Sequence, residues 1–130
     1  MTPFALLAAR ILLAILFIVA GLGKLADVQA FTGYMAAGGV PAFLAWPVIA
    51  LELLGGIAVL LGFQTRIAAL ALGGFSILAG LMFHFDPANQ MQMTMFMKNI
   101  AIAGAFLILS VAGPGALSVD ARRGSVPAFA

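Results

Sequence analysis

Long apolar stretches alternate along the chain with short clusters of glycine, proline and polar residues, and that alternation predicts its elements. Four stretches stand out, at about 4–24, 41–63, 67–85 and 91–112. Each approaches or exceeds the roughly 20 apolar residues that a helix needs to cross hydrocarbon. The runs are continuous and rich in Leu, Ala, Ile and Gly, whereas a transmembrane strand alternates polar and apolar positions. Helices are therefore predicted for all four. Arg10 ahead of a short hydrophobic stretch imitates a signal peptide. No small-x-small cleavage site follows, and the remaining chain itself carries membrane-spanning runs, so an integral span is expected.

The breaks carry their own signals. Asp27 is placed to N-cap a short helix on which Val28, Phe31, Tyr34 and Met35 share a face, a pattern suited to the membrane interface. Gly38, Gly39 and Pro41 end that helix and turn the chain into the second span. Thr65 is expected to N-cap the third span, and Asp86-Pro87 to supply the cap and first-turn proline of the fourth. Gly113-Pro114-Gly115 stops the fourth. The expected fold is all-α: an integral membrane four-helix bundle with a short interfacial helix between the first and second spans. It forms one domain over 1–120, followed by a short C-terminal tail at 121–130. No internal repeat is visible.

Composition narrows the class. Of 130 residues 65% are apolar and 8% charged, and the mean hydropathy is +1.21. Soluble domains run at about half apolar and about a quarter charged. A soluble enzyme, a disordered chain and a secreted disulfide scaffold are excluded. The chain has no cysteine, so it offers no thiol redox chemistry and no iron–sulfur ligands. Its single histidine cannot provide bis-histidine haem ligation within one chain. No phosphate-binding glycine loop or zinc spacing is present, and a net charge of +2 without a basic stripe speaks against nucleic acid. Lys and Arg set orientation. Arg10, Arg66, Arg122 and Arg123 fall on the side of the termini and Lys24 and Lys98 on the other, which places both termini in the cytoplasm.

Ionisable side chains within the spans cost at least about 2.5 kcal/mol each near a helix centre, so they pair, snorkel or line a wet cavity. Arg10, Lys24, Glu52, His84 and Lys98 are of this kind, with Asn99 beside the last. Arg10, Lys24 and His84 are close enough to span ends to snorkel. Glu52 is too deep and too short for that. It is either an ion-paired anchor or a functional carboxylate, facing the bundle interior against a basic residue. A network of Arg10, Glu52 and Lys98 is geometrically possible, since the two long cations enter from opposite ends. Gly55 and Gly56 lie on the Glu52 face, where small residues let another helix approach. Met91, Met93, Met95 and Met97 include soft donors at i, i+4 spacing that suit Cu(I), although methionine more often fills irregular packing.

The ordered set of these residues resembles the DoxX family. The resemblance runs through Arg10, Gly21-Leu22-Gly23-Lys24-Leu25 and Glu52-Leu53-Leu54-Gly55-Gly56 into Leu61-Gly62-Phe63-Gln64-Thr65-Arg66. It continues with His84 closing the third span, Lys98-Asn99, and Gly113-Pro114-Gly115-Ala116-Leu117-Ser118-Val119-Asp120. The resemblance implies a small bacterial inner-membrane protein of four helices, associated with redox or oxidative-stress systems. One relative of that family is a subunit of thiosulfate:quinone oxidoreductase. It further implies recurring polar positions at Arg10, Lys24, Glu52, Arg66, His84, Lys98, Asn99 and Asp120.

The resulting expectation is an accessory, quinone-interacting subunit with no cofactor of its own rather than a self-sufficient enzyme. Its intramembrane polar pocket would comprise Arg10, Lys24, Glu52, His84, Lys98 and Asn99. Membrane lipids, a partner protein that supplies electrons and a possible homo-oligomer are the expected associations. A structural or assembly protein without ligand is the first alternative, and a small-molecule or metal transporter the second.

Overall fold

A computed structural model describes residues 2–124. It is helical throughout its regular structure. Helix α1 (Pro3–Ala26) starts where the Thr2 hydroxyl accepts the Ala5 N–H at 3.3 Å and Pro3 occupies the first turn. Helix α2 (Val28–Ala37) starts on Asp27, whose carboxylate accepts the Ala30 N–H at 3.0 Å as its sequence position anticipates. A single 3-10 turn, Ala42–Leu44, leads into α3 (Ala45–Leu61). Helices α4 (Thr65–Phe83), α5 (Gln90–Ala112) and the short α6 (Val119–Arg122) follow. Four elements are long and apolar enough to cross a membrane: Pro3–Ala26, Ala42–Leu61, Thr65–Phe83 and Gln90–Ala112. They match the four apolar runs to within a few residues. The last six residues of the expected tail, 125–130, lie outside the described residues.

Two caps differ from expectation. Helix α5 is capped by Asn89, whose side-chain oxygen accepts the Gln92 N–H at 3.2 Å. Asp86 instead accepts the Ala88 N–H at 3.2 Å and opens a turn closed by the Asn89 N–H on the Asp86 carbonyl. Pro87 suits a turn as well as a helix start, and Asn89 offers an equivalent cap one turn later. Thr65 does not cap α4. It is the first helical residue, and the free N–H groups there are taken by a carboxylate from the far end of the chain.

Helix α1 packs chiefly along α3, and α4 along α5, with α3 and α4 joining the two pairs. The core between them contains Ala14, Phe17, Val59, Leu72, Phe106 and Leu109, with Phe17 and Phe106 meeting edge to face at 5.5 Å. Gly56 lets α1 and α3 approach: a Cβ there would lie 2.9 Å from the Ile18 side chain and 3.4 Å from the Ala14 carbonyl. This is the close contact on the Glu52 face that its glycines predict. Outward positions are apolar too, with Leu12 73%, Ile67 68% and Leu107 60% exposed. Such a surface belongs in lipid, where it costs nothing, and would aggregate in water.

At the end of the bundle where α1 begins and α5 ends, the segment after α5 folds back as a hook. Gly62 ends α3 with φ 69°, a left-handed conformation that glycine adopts without penalty, and a Cβ there would collide with Arg10 and Ser118. Gln64 follows at φ 46°, an unusual value for a residue with a side chain, held by its N–H bond to Asp120 at 2.8 Å.

Candidate functional site

The opposite end of the bundle contains a cavity of about 440 Å³. Every helix from α1 to α5 contributes to its lining. The walls are apolar and aromatic, from residues such as Phe31, Tyr34, Phe75 and Phe83. Lys24, Glu52, His84, Lys98 and Asn99, scattered over 76 positions of sequence, all line this one space.

Glu52 is 3% exposed and sits on the buried face of α3. The Lys24 ammonium lies 2.9 Å from each of its carboxylate oxygens and donates its hydrogen bond to Oε1. Oε2 is ion-paired but has no hydrogen-bond donor among the described residues. The same ammonium stands 5.2 Å from the centroid of the Phe31 ring. Helix α2 is thereby tied to the ion pair through a cation–π contact. Tyr34 stacks on Phe83 with centroids 5.0 Å apart and planes 22° from parallel. Met35 is buried against the same end. The face on which Phe31, Tyr34 and Met35 fall together is therefore the one that α2 turns toward the cavity.

His84 caps α4, and its Nδ1 meets Gln92 Oε1 of α5 at 2.8 Å. With the hydrogen on Nδ1, the neutral ring keeps Nε2 as an acceptor. Asn99 is half-buried beside Gly80, and Lys98 is exposed, its one hydrogen-bond contact among the described residues being Met95 Sδ at 3.7 Å. The methionine run winds around α5, with Met91 and Met97 exposed and Met93 and Met95 half-buried. Among the described residues no group of three or more His, Cys, Asp or Glu is placed to hold a metal ion.

Arg10, expected in the same pocket, does not line it, and the Arg10–Glu52–Lys98 network that the sequence allowed does not form. Arg10 is 1% exposed and donates to the carbonyls of Pro114 at 2.9 Å and Leu117 at 2.7 Å. It sits in the hook at the other end of the bundle. The turn through Gly113 (φ 77°) and Gly115 (φ 81°) leaves the Pro114 and Leu117 carbonyls facing α1, and the forked guanidinium bonds them both. The partner of Glu52 is Lys24, not Arg10.

The hook has a second anchor that sequence reasoning did not place. Asp120 accepts the N–H groups of Gln64 and Thr65 at 2.8 and 3.0 Å and the Thr65 hydroxyl at 2.9 Å. Burial alone would raise the Asp120 carboxyl, but these hydrogen bonds and the charge of Arg123 outweigh it and hold it below the ordinary carboxylate value. Arg66 joins the cluster by donating to the Ser110 carbonyl at 3.1 Å. The cavity walls also went unread: Phe75, Ser76 and Phe83 are ordinary apolar-span residues until the helices pack.

Four apolar helices, a reinforced terminal hook and, at the other end, a largely apolar cavity with a few polar side chains in its wall define a small polytopic membrane protein. The chain belongs to the DoxX family, whose model matches residues 5–85. It is 49% identical over 114 residues to the Escherichia coli K12 protein named Inner membrane protein YqjF, covering 88% of each chain. It is 35% identical over 127 residues to Inner membrane protein YphA of the same organism, covering 92% of this chain and 91% of that one. A shorter match, 36% over 58 residues, covers 45% of this chain and 43% of a Bacillus subtilis protein named "Putative oxidoreductase CatD". No solved structure matches the chain.

Proposed function

We propose that this chain is an inner-membrane subunit of a redox or oxidative-stress system that binds a quinone or related small amphipathic ring in the cavity at Glu52. The observation that carries the reading is the convergence of Lys24, Glu52, His84, Lys98 and Asn99 on one apolar chamber. An ion pair kept for packing would need only Lys24 and Glu52. Three further polar groups around the same space point to a ligand.

The chamber fits such a guest. Its volume of about 440 Å³ lies within the range of small-molecule pockets, and the lining combines apolar walls with few polar groups. Asn99 and Lys98 present donors to a carbonyl oxygen, and Glu52 adds an ion-paired carboxylate to the wall. Lys24 holds the Glu52 carboxylate in place. His84, fixed by Gln92, offers Nε2 as a proton acceptor. A bound quinone would supply the two-electron chemistry. The chain has no cysteine to deliver electrons, so a partner protein does so. The inner-membrane names of the relatives and the oxidoreductase name of the shorter match support this setting. The termini and the arginine-rich hook then face the cytoplasm, by the excess of basic residues at that end.

The test is calorimetric titration of the purified protein in lipid nanodiscs with a short-chain quinone, alone and with membrane extract from the source cells. Saturable binding that Glu52→Leu abolishes is expected. Absence of saturable binding under both conditions overturns the reading.

A further inference from the structure

We infer that the guest of this cavity is a monoanion, an apolar body carrying one ionised oxygen group that Lys98 receives. The inference rests on the reading of the cavity as a small-molecule site and adds its ligand's charge.

The argument is an account of charge. Three formally charged side chains line the cavity: Lys24, Glu52 and Lys98. Lys24 and Glu52 cancel across 2.9 Å. Lys98 remains, and its one contact among the described residues is a thioether sulfur at 3.7 Å, which is a weak acceptor. The other acids near this end are engaged elsewhere. Asp27 caps α2 and Asp86 holds its turn, and neither lines the cavity. The chamber therefore carries one uncompensated positive charge.

Depth makes that charge consequential. Lys98 stands eight residues into α5, about 12 Å along the helix at its usual rise. Cations at such positions pair, snorkel or line a cavity, and where Lys98 meets the apolar walls of this one its attraction for an anion is strengthened. Asn99 lines the same space next to it and adds a neutral donor. Apolar walls select a ring or short chain, and a lone ammonium selects one negative oxygen group. A hydroxyquinone, a phenolate or a carboxylate on an apolar body meets both conditions. A neutral molecule leaves Lys98 unpaired, and a dianion exceeds the charge available.

A lipid phosphate reaching in from the bilayer offers the same oxygen chemistry, so the experiment separates the two sources. Affinities of 2-methyl-1,4-naphthoquinone, which is neutral, and 2-hydroxy-1,4-naphthoquinone, which is ionised at neutral pH, are compared in phosphatidylcholine nanodiscs. The anion should bind at least about tenfold tighter, a modest return for a charge-assisted hydrogen bond. Lys98→Met should bring the ratio of affinities close to one, and Lys98→Arg should preserve it. Because Lys98 is exposed, the variants should fold, which matching thermal unfolding curves would verify.

Equal affinities in the wild type overturn the inference while leaving the cavity a binding site. Binding of neither probe overturns both. A preference that persists in Lys98→Met overturns the assignment to this residue. If phosphatidylglycerol nanodiscs erase the preference, Lys98 is a headgroup anchor and the inference fails.

Discussion

Asp120 caps the helix that begins at Thr65, 55 residues earlier, by accepting both its N–H at 3.0 Å and its hydroxyl at 2.9 Å. The return bond runs from the Asp120 N–H to the Gly62 carbonyl at 2.8 Å. Together they fasten the chain's last described turn to the α3–α4 connection. Replacing Asp120 by Ala should destabilise the protein by about 1–3 kcal/mol, since a helix cap is lost and buried N–H groups are left without acceptors. Asn should cost less, because it keeps one acceptor. Thermal unfolding in detergent measures both.

Acid should act through the same contact. The Asp120 carboxyl is held below its ordinary value in the folded protein, so its contribution is complete above the unfolded-state value. It disappears as pH falls through the lower folded value. Wild-type protein should therefore lose stability below about pH 4, and Asp120→Asn should show a shallower loss over that window. Equal slopes for the two proteins would assign the acid sensitivity to another group.

The Lys24–Glu52 pair separates anchoring from binding. Lys24→Met leaves a buried carboxylate without its cation and should destabilise by about 3–5 kcal/mol. The double variant Lys24→Met with Glu52→Gln removes both charges and should recover most of that loss. Ligand binding should not recover with it. A double variant that binds a short-chain quinone as the wild type does would reduce the pair to a packing device.

Gly56 should tolerate no large side chain. Leu there would drive into Ile18 and the Ala14 backbone, separating α1 from α3. Overpacking of this kind costs about 1–3 kcal/mol, and it should lower both the unfolding temperature and the yield of folded protein. Gly23, around which nothing lies within 4 Å of an added Cβ, should accept Ala without loss.

Membrane sidedness can be read with single cysteines, because the chain has none to interfere. Ala116 lies exposed in the hook and Ala88 in the exposed turn before α5. With cytoplasmic termini, Ala88→Cys should react in spheroplasts with a membrane-impermeant maleimide and Ala116→Cys only after lysis. The reverse pattern would invert the topology.

Much of the architecture was legible without coordinates. Hydrocarbon demands continuous apolar runs with every backbone group bonded internally, so four such runs could only be four helices. Glu52 was marked by the same logic, since a short acid at mid-span has to meet a cation inside the bundle. Which cation it meets was not legible. Arg10 and Lys24 are both on α1, and only the register of α1 against α3, set by Gly21 and Gly56, decides that Lys24 arrives beside Glu52 while Arg10 is carried to the hook. Asp120 was marked only by the family resemblance, and its role as a cap appears once the hook after α5 returns it to the start of α4. Sequence alone determined the solvent for which this chain is built and the residues too costly to sit there idle. Tertiary structure decided their pairing, because helix-to-helix register depends on small-residue contacts between segments far apart in the chain.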